Sequence, residues 1–244
     1  MKRPTEIRAS PRDWVEVLKS AYPFLVNEGI GNLILFGSQA MSFYMKNALR
    51  SKDLDLVTDQ LGPKSFDALV KHLTDTRPAG AAVRTTNVQT RPFDGRKMTT
   101  YSVEMHISTR PFILEIFDAV LDGSSPSVLA EHVQEGKKWG VSVWVPTREA
   151  VVALRLCFRQ PEGINRLNAV RLNNFLRDNI TKIDYGKVAE IVVSWAKEDL
   201  VRTNLEQLWK LHSQKIVYRE KFLRDVEVAE RKAHGNFLSA RGVE

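Results

Sequence analysis

Disulfide chemistry is excluded first, because the 244 residues contain a single cysteine, Cys157, which has no internal partner. It lies in the apolar run AVVALRLCF (150–158), where a small buried hydrophobe is the expected role. Long apolar runs are missing too. No window approaches the roughly 18 uninterrupted apolar residues of a membrane span, and the opening MKRPTEIRASPRDW lacks the apolar centre of a secretory signal. A cytoplasmic chain with no membrane partner is expected. There is no Walker loop, no HExxH and no pair of cysteines, and the five histidines, His72, His106, His132, His212 and His234, are scattered. P-loop hydrolysis and the common zinc sites therefore lack their residues. Ser38 lacks the second glycine of a hydrolase nucleophile elbow. Internal repeats and low-complexity tracts are absent as well.

The chain does have enough apolar residues, 43%, to bury a substantial core, and a net charge of +7 from 36 Lys and Arg against 29 Asp and Glu. Such a balance favours polyanionic partners, nucleotides or nucleic acid, because a basic surface attracts phosphate at long range. Ser10 before Pro11 reads as a capped helix start, and WVEVLKSAYPFLV continues at helical spacing to near Gly29. The run NLILF (32–36) predicts a buried strand ended by Gly37 and Ser38, and a helix from about Gln39 to Ala48 follows. Strict alternation in DLDLV (53–57) predicts a strand with one polar face, and Pro63 opens another helix. Residues 81–118 are rich in β-branched and alternating positions, with TTYSVEMHI (99–107) and FILEIFDAV (112–120) forming a hairpin. One more strand, GVSVWV (140–145), precedes Pro146 and Thr147, after which segments 147–160, 163–180, 184–198 and 200–233 carry helical spacing. The expected fold class is α/β of the α+β kind: a small mixed sheet flanked by helices over 1–146, then a helical bundle over 147–244.

Three features point to chemistry. Asp53 and Asp55 stand two apart on a strand, so both carboxylates leave one face and converge on one cation or a pair of cations, with hard oxygen ligands suiting Mg²⁺ or Mn²⁺. Gly37 and Ser38 follow a buried strand and open a helix, so that free backbone amides, with the serine hydroxyl as an added donor, form a phosphate cradle. Glu115 is the one charged residue in FILEIF (112–117), and a carboxylate buried there needs compensation. A metal shared with the two aspartates supplies it; a salt bridge to an arginine would too, and Asp118 or Glu104 are the other candidates for a third ligand.

These residues resemble the nucleotidyltransferase fold shared by DNA polymerase beta, the antibiotic nucleotidyltransferases and the nucleotidyltransferase toxins. Its signature, an apolar residue, Gly and Gly or Ser, a helix, then a strand with Asp, apolar, Asp or Glu, is matched by LFGSQAMSFYMKNALRSKDLDLVTD (35–59), and Arg50 and Ser51 before the aspartates are similar to AbiEii-type toxins and their MenT relatives. Where family members place a lysine early in the C-terminal half, ALRL supplies Arg155, and INRLNAVRL keeps Arg166 but has Asn168, Ala169 and Arg171. The resemblance implies a nucleotidyltransferase core over 1–146 and attack by a hydroxyl on the α-phosphate of a nucleoside triphosphate such as ATP, with two metals held by Asp53 and Asp55 and one of them by Glu115. It implies triphosphate binding at Gly37 and Ser38 with Arg50, Lys52 and Arg155 as phosphate contacts, an RNA acceptor such as the 3′ end of transfer RNA, and a toxin with a cognate antitoxin protein as partner. Charge supports the RNA acceptor independently, since Arg155, Arg159, Arg166, Arg171, Arg177, Lys182 and Lys187 face only Glu162, Asp178 and Asp184 over 155–187, with Arg166 and Arg171 the named nucleic-acid contacts. The rival readings are transfer to an antibiotic or a protein, and a non-catalytic nucleic-acid-binding protein that keeps the fold.

Overall fold

In the computed structural model the described residues are 10–93, 96–121, 123–157, 166–179, 181–211 and 219–240. The chain forms two compact units, Met1–Pro146 and Thr147–Glu244. The first is built on a seven-stranded mixed sheet in the order β3-β4-β5-β2-β1-β7-β6. Its strands are β1 (Ile34–Leu35), β2 (Asp53–Val57), β3 (Ala81–Phe93), β4 (Arg96–Ile107), β5 (Arg110–Phe117), β6 (Val133–Lys138) and β7 (Val141–Pro146), and its helices are α1 (Pro11–Asn27), α2 (Gly37–Tyr44) and α3 (Pro63–Thr76). β2 is parallel to β5 and antiparallel to β1, and β1 is parallel to β7, so the central strands have crossover connections while β3-β4-β5 and β6-β7 are antiparallel ribbons.

Helix α1 begins with a capping box, the Ser10 side chain accepting from Asp13 N–H while Asp13 accepts from Ser10 N–H, and Pro11 occupies the first turn where no donor is needed. Its Trp14, Val17, Leu18, Ala21 and Leu25, together with Phe66, Leu69 and Leu73 of α3, bury one face of the sheet: Leu54 and Leu56 of β2, Val103 and Met105 of β4, and Phe112, Leu114 and Ile116 of β5. Alternation along each strand sends the intervening residues to the opposite face, where the acidic side chains lie.

Three expectations from the sequence are corrected. β1 is two residues long instead of five, because Asn32 takes a positive φ of 48° and the chain after Leu35 turns at once into α2. That helix starts at Gly37 and stops at Tyr44, short of Ala48. The cause of the early stop is Lys138 on β6, whose ammonium donates to the carbonyls of Ser42 (2.8 Å), Phe43 (2.7 Å) and Met45 (3.0 Å) and so closes the end of the helix. The same ammonium lies 5.8 Å from the Phe43 ring and 5.0 Å from the Trp139 ring, and burial pulls its pKa down. The third correction is that the sheet has two further strands, β3 and β6, both at its edges. Replacing the cation but keeping its stem, in Lys138→Met, should lower unfolding free energy by about 1–3 kcal/mol in urea titration, the cost of stranding part-buried acceptors; an unchanged midpoint would contradict the capping role.

The second unit is helical: α4 (Arg148–Leu156), α5 (Arg166–Asp178), α6 (Tyr185–Ser194), α7 (Glu198–Leu211) and α8 (Arg219–Ala240). Thr147 caps α4 through Ala150 N–H, and Asp184 caps α6 through Gly186 and Lys187 N–H. Val188, Ile191 and Val192 of α6 are buried, as are Phe222, Val226 and Ala229 of α8, and Cys157 is fully buried. Among the described residues no helix is long and apolar enough to cross a membrane.

Candidate metal and nucleotide site

The parallel register of β2 and β5 sets Asp55 beside Glu115, and Asp53 precedes Asp55 by one full pleat. All three point away from the apolar core, and one carboxylate oxygen from each lies within 4.8 Å of the others. Three half-buried anions this close repel one another, so the arrangement suits positive charge placed between them. Glu115 records the strain: burial and then the charge of Asp53 push its pKa up from the ordinary 4.5, against a smaller pull from Lys52 and Arg91.

The turn into α2 is built around Asp55. Phe36 N–H donates to the Asp55 carbonyl at 2.9 Å, pinning the start of the helix to β2. Gly37 has φ of 61°, and a Cβ there would sit 1.8 Å from Oδ2 of Asp55, so glycine is required both by backbone conformation and by the close approach. No side chain caps the helix start, which leaves its first amides to other acceptors. Gln39 donates its amide to the Asp53 carbonyl, tying α2 to the strand a second time.

The hydroxyl of Ser38, read in the sequence as an added anion donor, makes a hydrogen bond inside the protein. It is buried, and its hydroxyl lies 2.9 Å from that of Ser51, which in turn donates to Oδ1 of Asp53 at 2.5 Å. An ionised carboxylate only accepts, so Ser51 spends its proton on Asp53 and takes one from Ser38. The chain Ser38, Ser51, Asp53 fixes the orientation of the first aspartate. Gln39 has no functional signal in the sequence, and Ser51 enters there only through the likeness of the Arg50 and Ser51 pair to AbiEii-type toxins.

The remaining candidates fall in different places. Asp118 accepts from Thr99 N–H at 2.7 Å and so fastens β4 to the end of β5. Glu104 is exposed and pairs with Ile113, two residues along β5 from Glu115 and on the same face. Arg50 and Lys52 are exposed beside the start of β2. Arg155 stands in the last turn of α4 and Arg171 in α5, both half-buried in the second unit. Arg166 opens α5 with its side chain outside the described residues, and Arg159 lies outside them altogether. Lys182 and Lys187 are exposed.

The raised pKa of Glu115 has a sign that can be checked. The folded chain holds this proton more tightly than the unfolded chain, so the stabilising contribution is complete below the ordinary value of 4.5 and is lost as pH rises through the raised value. In metal-free buffer, stability should therefore fall over that window, and Glu115→Gln should flatten the fall. Denaturant titrations at a series of pH values that superimpose for both proteins would contradict it.

No family model matches the sequence, and no curated protein matches it. Among solved structures, the chain is similar to an antigenic nucleotidyltransferase-like protein from Paracoccidioides brasiliensis, at 12% identity over 84% of this chain and 95% of that one, with a TM-score of 0.44. It is similar also to the antibiotic-resistance factor ANT(2'')-Ia in solution, at 13% identity over 80% of this chain and 97% of that one, with a TM-score of 0.49. The crystal structure of ANT(2'')-Ia in complex with adenylyl-2''-tobramycin gives 12% identity over 75% and 97%, with a TM-score of 0.45.

Proposed function

We propose that this chain is a nucleotidyltransferase that joins a nucleoside monophosphate from a nucleoside triphosphate to a hydroxyl acceptor, with 1–146 as its nucleotidyltransferase domain. The observation that carries the reading is the convergence of Asp53, Asp55 and Glu115 on one face, beside a helix start that only glycine permits. An all-carboxylate donor set with oxygens this close fits Mg²⁺ or Mn²⁺ better than zinc or copper. When bound there, such a cation supplies charge neutralisation for the triphosphate and its leaving group.

The protein's own residues do the rest by position and charge. The first amides of α2 receive the triphosphate oxygens, and Lys52 and Arg50 add positive charge beside them. Ser38 and Ser51 hold Asp53 in one orientation. Glu115, with a carboxylate oxygen within 4.8 Å of both aspartates, helps to activate the acceptor hydroxyl. In the reaction the hydroxyl oxygen forms a bond to the α-phosphorus, the bond from that phosphorus to the oxygen bridging to the β-phosphate breaks, and pyrophosphate leaves with the bonding electrons.

The acceptor is RNA, with the 3′ end of transfer RNA as the named case and growth inhibition, relieved by an antitoxin, as the cellular outcome. The support is the net charge of +7 and the likeness of the segment 35–59 to nucleotidyltransferase toxins. Incubation with each labelled nucleoside triphosphate and Mg²⁺, separately with total RNA, cell protein and an aminoglycoside panel, tests this. Label on RNA is expected; label confined to protein or to an aminoglycoside would end the RNA assignment.

A further inference from the structure

The antiparallel ribbon of β3 and β4 carries a second feature of the acidic face. Register places Asp55, Glu115, Ser102 and Asn87 in one row across four strands. The next positions toward the ribbon tip on the same face are Gln89 beside Thr100, then Arg91 beside Met98, then Arg96. Arg91 and Arg96 are exposed. Arg91 is four residues beyond the row of Glu115 along β3, about 13 Å at ~3.3 Å per residue. The charge is one-sided: Glu104 is the one carboxylate among the described residues of β3 and β4, and it lies on the far side of the row from the tip.

We propose that this face of the ribbon is the track for a single-stranded nucleic-acid acceptor, whose phosphates meet Arg91 and Arg96 and whose terminal hydroxyl is brought to the carboxylates at its inner end. The inference rests on the nucleotidyl-transfer reading and names how the acceptor arrives. Both guanidiniums suit phosphate, which they engage through two parallel donors. Strand addition by another protein fits less well, because β3 is an edge strand that carries Pro92, which has no donor, and flanking cations, the usual means of discouraging a further strand. The ribbon also belongs to the same compact unit as the triad.

The test compares the full chain with Arg91→Glu/Arg96→Glu and with the neutral Arg91→Gln/Arg96→Gln. Two measurements are made: anisotropy of a fluorescent single-stranded RNA with a free 3′-hydroxyl over a salt series, and calorimetric binding of Mn²⁺ with a non-hydrolysable nucleoside triphosphate. RNA affinity should fall by about tenfold or more, and the slope of log K against log salt should shrink by about 1.4, at ~0.7 per phosphate contact on a single strand. Nucleotide binding should be unchanged. If the glutamate pair fails to fold, the glutamine pair decides. Unchanged RNA affinity and slope beside intact nucleotide binding would overturn the track alone. Failure of the wild-type chain to bind the nucleotide with metal would overturn the nucleotidyl-transfer reading and the track with it.

Discussion

Asp55→Ala is expected to abolish nucleotidyl transfer, by about a thousandfold or more, while leaving the fold intact. Asp55 sits at the centre of the site: its carbonyl receives Phe36 N–H, its carboxylate lies where a Cβ on Gly37 would be, and its strand partner is Glu115. The carbonyl survives the substitution, so the helix start stays pinned. Removing one of three crowded carboxylates relieves repulsion, so thermal stability without metal should hold or rise. The contrast comes with ligand. Saturating Mg²⁺ and nucleoside triphosphate should stabilise the wild-type chain, by about 2.7 kcal/mol at one hundred times Kd, and leave Asp55→Ala where it was. Asp53→Ala should lose transfer equally but is the less clean variant, because it also strands the Ser51 hydroxyl. Wild-type transfer by either variant would remove the metal-site assignment.

Glu115→Gln is expected to lower transfer by about a hundredfold or more, whereas Glu104→Gln should stay within about twofold, the scale of an ordinary surface change. The two glutamates test position against charge, for they lie on neighbouring strands and the same face but only Glu115 has a carboxylate oxygen within 4.8 Å of both aspartates. Equal losses would sink the assignment. Asp118→Asn should show itself in stability, since that carboxylate holds Thr99 N–H at 2.7 Å. A dominant loss of transfer at Asp118 would instead move the third ligand off this face.

Much of this arrangement was legible where side-chain pattern and burial coincide. DLDLV reads as a strand because its apolar residues must enter the core, and parity then puts both aspartates on one face. The same logic exposes Glu115 as the lone charge in a central strand. Within 81–118 only the hairpin of 99–107 and 112–120 reads as strands, and β3 and β6 are missed as separate strands for the complementary reason. TTNVQTRPF and VQEGKK bury few side chains, and what makes them strands is backbone pairing to β4 and β7, which leaves no periodic trace. The bounds of α2 depended on a residue 93 to 96 positions away, Lys138. The Ser38 to Ser51 to Asp53 chain likewise joins residues on a helix and before a strand, where composition alone suggests only a capping serine and a polar turn.

The measurement that addresses the central claim most directly is transfer from nucleoside triphosphates labelled separately at the α- and the γ-phosphorus, with Mg²⁺ and total RNA, in wild-type and Asp55→Ala protein. The account predicts that α-label becomes covalently attached, that γ-label leaves as pyrophosphate, and that a chelator or Asp55→Ala abolishes attachment. Attachment of γ-label, or α-label attached equally by Asp55→Ala, would contradict it.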